Sequence, residues 1–277
     1  MADRPGWLTV EQRDAPLIVS FPHTGTDIPP EIEARCVSPW RARKDTDWWI
    51  DQLYAFAGDL GATIVHTAIS RTVIDVNRDP SGVSLYPGQA TTELVPTTTF
   101  DGEPLWRPGQ APDADEIERR RAAYFAPYHD ALAAEIARLR AEHPRVALYD
   151  CHSIRSVIPR LFDGTLPAMN IGTNSGASCE PALQIAIAGI AATSPFSHIV
   201  NGRFKGGYIT RRYGAPAGGV HAVQMELACR SYINEPIGPV DQTLWPAPYF
   251  PDYAAPIQRT LRAILETCLR YAKEATA

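Results

Sequence analysis

Short apolar runs alternate with longer amphipathic stretches along the 277-residue chain. The short runs lack a helical period, which is typical of strands buried in an α/β sheet. The runs predict strands at residues 17–21, 62–69, within 146–156, 167–173, 198–200 and 218–227, and the amphipathic stretches predict helices at 46–60, 113–142, 178–192 and 256–275. This alternation favours one α/β domain over residues 1–277, built around a mostly parallel sheet.

Two histidines lie at or just beyond the carboxyl ends of predicted strands, where open α/β sheets place their ligand sites. His23 occupies a proline- and glycine-rich turn after strand 17–21, as either a polar turn residue or a ligand. Asp150 and His152 lie two residues apart and therefore share one side of their strand. Cys151 points to the opposite side, which argues against Cys151 as a nucleophile acting with His152.

Two carboxylates belong to the same group of candidates. Asp47 falls in the first turn of predicted helix 46–60, where the helix dipole favours a negative charge. Glu226 lies in an apolar strand and shares one face with Gln224. A buried glutamate is costly unless it is paired, so Glu226 is either a general base with a raised pKa or a partner of a buried arginine.

Arg71, Asn77 and Arg78 flank an apolar run. Guanidinium and amide donors together suit a carboxylate ligand. The alternative is a structural ion pair between these arginines and Asp75 or Asp79.

Two loop-like segments contain further candidates. Residues 201–214 are glycine-rich and basic but match no nucleotide-binding pattern, so they form either an anion-recognition loop or a solvated basic loop. Residues 81–112 are rich in Gly, Pro and Thr and lack a period, and so long a connection often covers a site. The basic segment contains Arg203, Lys205, Arg211 and Arg212.

Composition narrows the class of protein. The net charge of −5 gives no general attraction to nucleic acid or to an anionic membrane. No apolar run approaches the roughly 20 residues that span a bilayer, and residues 1–7 lack the pattern of a signal peptide. Five scattered cysteines without a C-x-x-C motif favour reduced thiols in the cytoplasm.

The polar candidates form a chemically coherent set. Three nitrogen or oxygen ligands with an open fourth position are typical of catalytic zinc, which lowers the pKa of bound water to about 7. A nearby glutamate can take the proton from that water, and an arginine can stabilise the developing oxyanion. The chain lacks HExxH and GxSxG, which argues against a zincin-type site and against an α/β-hydrolase serine nucleophile.

Six segments match one family in order and cover most of the chain. The chain resembles N-formylglutamate amidohydrolases (deformylases) in SFPHTGTDIP, DTDWWIDQLY, SRTVIDVNRDPSG, LYDCHSIRS, NGRFKGGYITRRYG and GVHAVQMELACRSYINEP. A fainter similarity connects it with zinc carboxypeptidases and aspartoacylase-like amidohydrolases. The resemblance implies a three-layer α/β/α sandwich with a mixed, mostly parallel sheet, like the zinc exopeptidases.

The resemblance also implies a reaction, namely the metal-dependent hydrolysis of N-formyl-L-glutamate to formate and L-glutamate in histidine degradation. A metal-bound water would attack the formyl carbonyl. The site residues that the resemblance implies are His23 and His152 as zinc ligands, Glu226 as general base, Arg71 as the arginine that polarises the carbonyl, and Asn77 and Arg78 as the carboxylate clamp. Arg211 and Arg212 are further candidates for substrate binding.

The carboxylate ligand departs from the exopeptidase pattern H-x-x-E, because Thr26 stands three residues after His23. Asp47 is favoured, and Asp27 is the alternative. Other divalent metals suit the same ligands. Two rival functions stay open: hydrolysis of another N-acyl amino acid, and non-catalytic binding of an acidic amino acid.

Overall fold

A single mixed sheet organises the protein in the computed structural model, which describes residues 4–85 and 88–274. Its seven strands are β1 (Leu8–Glu11), β2 (Leu17–Phe21), β3 (Thr63–Thr67), β4 (Val146–Ile154), β5 (Met169–Gly172), β6 (His198–Val200) and β7 (Val220–Ala228). Their spatial order is β1-β3-β2-β4-β7-β5-β6. Pairs β1–β3 and β5–β7 are antiparallel and the other four are parallel.

Helices cover both faces of this sheet, which confirms the predicted α/β/α sandwich. They are α1 (Pro30–Glu33), α2 (Pro39–Arg43), α3 (Ile50–Leu53), α4 (Ala114–Arg120), α5 (Ala126–Glu142), α6 (Pro181–Thr193), α7 (Tyr208–Tyr213) and α8 (Pro251–Lys273). Within the described part of the chain, none of them combines the length and the apolar character needed to cross a bilayer.

The two faces of the sheet differ in polarity. On one face, Val19 and Tyr149 share a buried apolar cluster with α6 and α8. On the other face, Ile18, Leu148 and Ala222 share a second cluster with α5 and α7. Because side chains alternate along a strand, Leu148 and Ala222 share their face with the polar positions that follow two and four residues later, and Ile18 shares it with Ser20. The second face is thus core at its amino end and polar at its carboxyl end.

The predicted helix at residues 46–60 is wrong in its extent. Trp49 adopts a left-handed backbone conformation (φ 65°), so the α-helix begins only at Ile50. It gives way to a 3₁₀ segment, Ala55–Leu60, which ends at Gly61 in the left-handed region. Asp47 consequently lies in the loop before the helix rather than in its first turn.

Other boundaries also differ from the prediction. The basic segment 201–214 contains helix α7, and the last helix begins at Pro251 rather than at residue 256. A π-helical turn, Arg121–Phe125, separates α4 from α5, so the predicted helix at 113–142 is not one continuous α-helix. Parts of three predicted segments lie outside the described residues, namely residues 1–3 of the amino-terminal segment, residues 86–87 of the predicted cover and residue 275 of the last helix.

Candidate metal centre and active site

The carboxyl ends of β2, β4 and β7 lie side by side and bring the polar candidates together. His23 follows β2 by two residues, whereas His152 and Glu226 lie within β4 and β7. The parallel register places His152 directly beside Glu226 and places Asp150 beside Gln224. All four side chains are buried on the polar part of the second face.

A tight turn aims His23 at this edge of the sheet. The backbone amide of Asp47 donates to the His23 carbonyl (3.0 Å), which fixes the turn against the loop before α3. A Cβ atom on Gly25 would lie 2.4 Å from the carbonyl carbon of Ala68. Glycine is therefore required where the turn packs against the chain beyond β3.

Three side chains converge as a candidate metal site, namely His23, Asp47 and His152. The two Nδ1 atoms of the histidines are 3.1 Å apart, and the Asp47 carboxylate lies 3.2 Å from His152 and 3.7 Å from His23. Ligand bonds of about 2.0–2.1 Å in a tetrahedral zinc site separate neighbouring ligand atoms by about 3.3 Å. The spacing therefore fits a small divalent cation, with one coordination position left for water or substrate.

Each histidine is held by a carboxylate on the far side of its ring. His23 Nε2 donates to Asp75 (2.7 Å), and His152 Nε2 donates to Asp150 (2.8 Å). These bonds place the ring protons on Nε2 and turn both Nδ1 atoms towards Asp47. Such outer partners fix the tautomer and the orientation of metal-binding histidines.

The electrostatics of the cluster favour positive charge. Burial acts to raise the pKa of Asp47, but the close contacts with His152 and His23 outweigh it and lower the pKa below its usual range. Burial acts to lower the pKa of His152, but the charge and hydrogen bond of Asp150 raise it well above its usual value. A cage of carboxylates around two imidazoles is a donor set that suits a divalent metal.

Glu226 is the carboxyl group best placed for proton transfer. Burial, reinforced by the charge of Asp47 and opposed by His152, raises its pKa to about 8. Gln224 Nε2 donates to Glu226 Oε2 (3.2 Å). Within the described residues the arginines near Glu226 pair with aspartates instead, so the alternative of a structural Glu–Arg pair is not realised. A carboxyl with a pKa near neutrality suits general base catalysis.

A small cavity of about 50 Å³ opens over the cluster. Three arginines reach its wall: Arg71, Arg78 and Arg203. Polar lining comes from His23, Asn77, Thr91, Thr92, His152, Gln224 and Glu226, and apolar lining from Ala90, Phe100, Ile154, Leu161 and Phe204. The predicted cover at residues 81–112 therefore contributes part of this wall. Its described portion supplies Ala90–Thr92 and Phe100.

Arg71 and Arg78 form the ion pairs that one of the two alternatives predicted, and both also line the cavity. Arg71 pairs with Asp75 (2.7 Å) and approaches Asp47 (3.4 Å), while it also lines the cavity. Arg78 Nη2 donates to Thr92 Oγ1 (3.0 Å) and lies 3.8 Å from Asp75 through its Nε. These partners hold both guanidinium groups at the cavity wall.

Asn77 joins three parts of the site. Its Nδ2 donates to Asp150 (3.4 Å) and lies 3.0 Å from Nε2 of His152, while its Oδ1 accepts from the amide of Ile209 (2.8 Å). Asn77 therefore ties α7 to the histidine, in addition to lining the cavity. Its assignment to substrate binding stays a prediction.

The structure places Arg211 and Arg212 away from the cavity wall. Both lie on α7, where Arg211 Nε donates to the Gly206 carbonyl (2.9 Å) and Arg212 is exposed beside the ring of Tyr213. Among the described residues it is Arg203 that brings a cation from this segment to the cavity. The physical reason is the unpredicted helix α7, which separates the positions of these arginines.

The structure places the two remaining candidates, Asp27 and Cys151, outside the candidate metal cluster. Asp27 is exposed, and its segment bridges to Ile69, so it does not join the cluster that contains Asp47. Cys151 is buried in the apolar cluster on the opposite face of the sheet, and burial raises the pKa of its thiol well above the usual value. This environment does not suit a nucleophile.

Sequence comparison decides the family. The family model for N-formylglutamate amidohydrolase matches residues 15–233. The chain belongs to the N-formylglutamate amidohydrolase family. It is 46% identical over 268 residues to an N-formylglutamate deformylase of Pseudomonas aeruginosa, which covers 96% of this chain and 97% of the relative. A deformylase of the same name from Pseudomonas putida is 45% identical over the same coverage.

Solved structures share the architecture of this family member. An N-formylglutamate amidohydrolase from Ralstonia eutropha JMP134 superposes with a TM-score of 0.75 at 22% identity, covering 96% of both chains. A gene product of Agrobacterium tumefaciens gives a TM-score of 0.71 at 19% identity, again over 96% of both chains. At these identities the similarity shows the fold alone.

Proposed function

We propose that this protein hydrolyses N-formyl-L-glutamate to formate and L-glutamate. The observation that carries the proposal is the position of buried Glu226 beside the cluster of His23, Asp47 and His152, inside a cavity lined by arginines. The family and the near full-length relatives named N-formylglutamate deformylase support the same substrate. A binding protein for acidic amino acids would have no use for the metal cluster.

We also propose that the cluster holds one divalent ion, with zinc as the first candidate. The ligands would be Nδ1 of both histidines and the Asp47 carboxylate. When bound, such an ion supplies water of lowered pKa and polarises a carbonyl oxygen.

Glu226 would accept the proton of the attacking water and deliver it to the amide nitrogen of the leaving glutamate. Both transfers require one carboxyl that is unprotonated at first and protonated afterwards, and a pKa near neutrality permits both. Arg71, held against Asp75, would face the oxygen of the formyl carbonyl. Arg78 would bind a substrate carboxylate, and Arg203 would contribute a second cation to a substrate that bears two negative charges.

Formate release from N-formyl-L-glutamate tests the proposal directly. We expect activity that disappears after treatment with a chelator and returns with Zn²⁺. The Glu226→Gln variant, purified in parallel, controls for contaminating hydrolases. Absence of formate with Zn²⁺, Co²⁺ and Mn²⁺ alike would reject the substrate, and activity that resists complete metal removal would reject the metal. Five buried, unbridged cysteines agree with a reducing compartment, and the cytoplasmic location stays a prediction.

A further inference from the structure

On the shared face of β4 and β7, the side chains change from polar to apolar towards the carboxyl ends of the strands. Residues two apart lie on one face, so three successive rows cross this strand pair. These rows are Asp150 with Gln224, His152 with Glu226, and Ile154 with Ala228. The first row supports the reactive groups, the second contains them, and the third is apolar. The reactive row is thus bordered on one side by polar support and on the other by an apolar wall.

Phe100 extends this apolar wall. Its side chain is 6% exposed and belongs to one buried cluster with Ile154 and Ala228. Its ring lies 4.8 Å from the guanidinium carbon of Arg71, which itself approaches Asp47. Phe100 and Ile154 both line the cavity. Apolar atoms therefore face the space next to the candidate metal site.

Buried charges hold Phe100 in place. Its amide donates to Asp45 (2.6 Å). The next residue, Asp101, pairs with Lys44 (2.7 Å) and Arg155 (2.6 Å). Lys44 and Arg155 are themselves only 4% and 6% exposed. Because these contacts fix the backbone of Phe100 and of its neighbour Asp101, the Phe100 ring can move little to accommodate a larger group.

We propose that Phe100 and Ile154 restrict the acyl group of the substrate to formyl, an inference that rests on the proposed function. The substrate carboxylate goes to Arg78, whose neighbour in the chain, Asn77, donates to Asp150 in the first row. The carbonyl carbon lies at the reactive row, between the metal cluster and Glu226. The remaining substituent of that carbon then points to the apolar wall. A hydrogen atom fits there, whereas a methyl group meets anchored side chains.

The test compares two substrates in one set of variants. Formate release from N-formyl-L-glutamate and acetate release from N-acetyl-L-glutamate are measured for the wild type and for Phe100→Ala. The ratio of kcat/KM for acetyl over formyl should rise roughly 10- to 200-fold, the range for one methyl-sized group in an apolar pocket. Loss of the Phe100–Arg71 contact slows both substrates, so the ratio isolates the effect of acyl size.

Leu166→Ala is the matched control. Leu166 belongs to the same buried apolar cluster but does not line the cavity, so its truncation should leave the ratio unchanged. If thermal unfolding shows that Phe100→Ala does not fold, the same ratio of kcat/KM is measured for Phe100→Leu and Ile154→Ala. Each should raise the ratio in the same direction.

The outcomes separate the inference from the proposed function. A wild type that releases formate, together with an unchanged ratio in the Phe100 and Ile154 variants, overturns the inference alone. An equal rise in Leu166→Ala also overturns it, because the selectivity would then reflect general packing. Absence of formate from the metal-loaded wild type rejects the proposed function itself.

Discussion

Asp150, the carboxylate that accepts from His152, offers the sharpest test of how the metal-binding histidines are oriented. Asp150 is fully buried, and its Oδ2 accepts from His152 Nε2 (2.8 Å), while its Oδ1 accepts from Ser20 Oγ (2.9 Å). Asp150→Asn keeps the size of the side chain but removes the negative charge. The variant also allows an amide NH₂ to face the ring and disturb its tautomer.

Loss of such an outer partner lowers metal affinity by roughly 10- to 100-fold. That range equals about 1.4–2.7 kcal/mol of binding free energy, since each factor of ten is about 1.4 kcal/mol. The stabilisation of the folded protein by saturating Zn²⁺ should fall by a similar amount.

Competition with a chromophoric chelator measures this affinity, and thermal unfolding with and without Zn²⁺ provides an independent readout. The titration should be done at alkaline pH. Asp150 also raises the pKa of His152, and at alkaline pH fewer protons compete with the ion for the imidazole. Ser20→Ala is the matched control, since it removes a hydrogen bond from the same carboxylate without changing its charge. If Asp150→Asn binds Zn²⁺ as tightly as the wild type, or no worse than Ser20→Ala, the carboxylate does not orient the ligand.

Three further predictions concern proton transfer, substrate binding and stability. Glu226→Gln should lower kcat roughly 10²–10⁴-fold with unchanged metal content, and full turnover would remove Glu226 from that role. Arg78→Ala should raise KM for N-formyl-L-glutamate about 10- to 100-fold, the equivalent of one charged hydrogen bond, and an unchanged KM would exclude Arg78 from the clamp. Burial lowers the pKa of His129 from 6.5 to about 4, although Nε2 donates to the Val76 carbonyl (2.8 Å). The unfolded chain therefore takes up this proton first, and the free energy of unfolding should fall by up to about 3 kcal/mol as the pH drops from 6.5 to 4. Urea unfolding across this range should show a flatter profile for His129→Gln, and an identical profile would contradict the assignment.

The sequence predicted those parts of the fold in which local pattern and tertiary environment agree. Strands β2, β4 and β7 are apolar runs with polar ends, so both the sheet and the positions of His152 and Glu226 were recognisable. Residues 46–60 carry helical spacing, but the left-handed conformation of Trp49 interrupts them, and periodicity contains no signal for that interruption.

The remainder of the site depends on contacts between distant segments. Asp75 was considered only as a partner for arginines, because nothing in a linear pattern indicates that it also accepts from His23. Arg203 could not be distinguished from Arg211 and Arg212 until helix α7 was known. Phe100 lies in a segment without any period, and only tertiary contacts place it over the cavity.

The position of Asp75 has a thermodynamic consequence for the whole site. One carboxylate accepts from His23 in the candidate metal site and from Arg71 at the cavity wall. A cation at the cluster would strengthen the hydrogen bond from His23 to Asp75, whereas an anion at Arg71 would weaken the pair between Arg71 and the same carboxylate. Their affinities are linked, and reciprocity requires that each changes the other by the same factor. Adaptation of this enzyme to a new substrate through Arg71 would consequently also alter the affinity of the candidate site for the proposed metal.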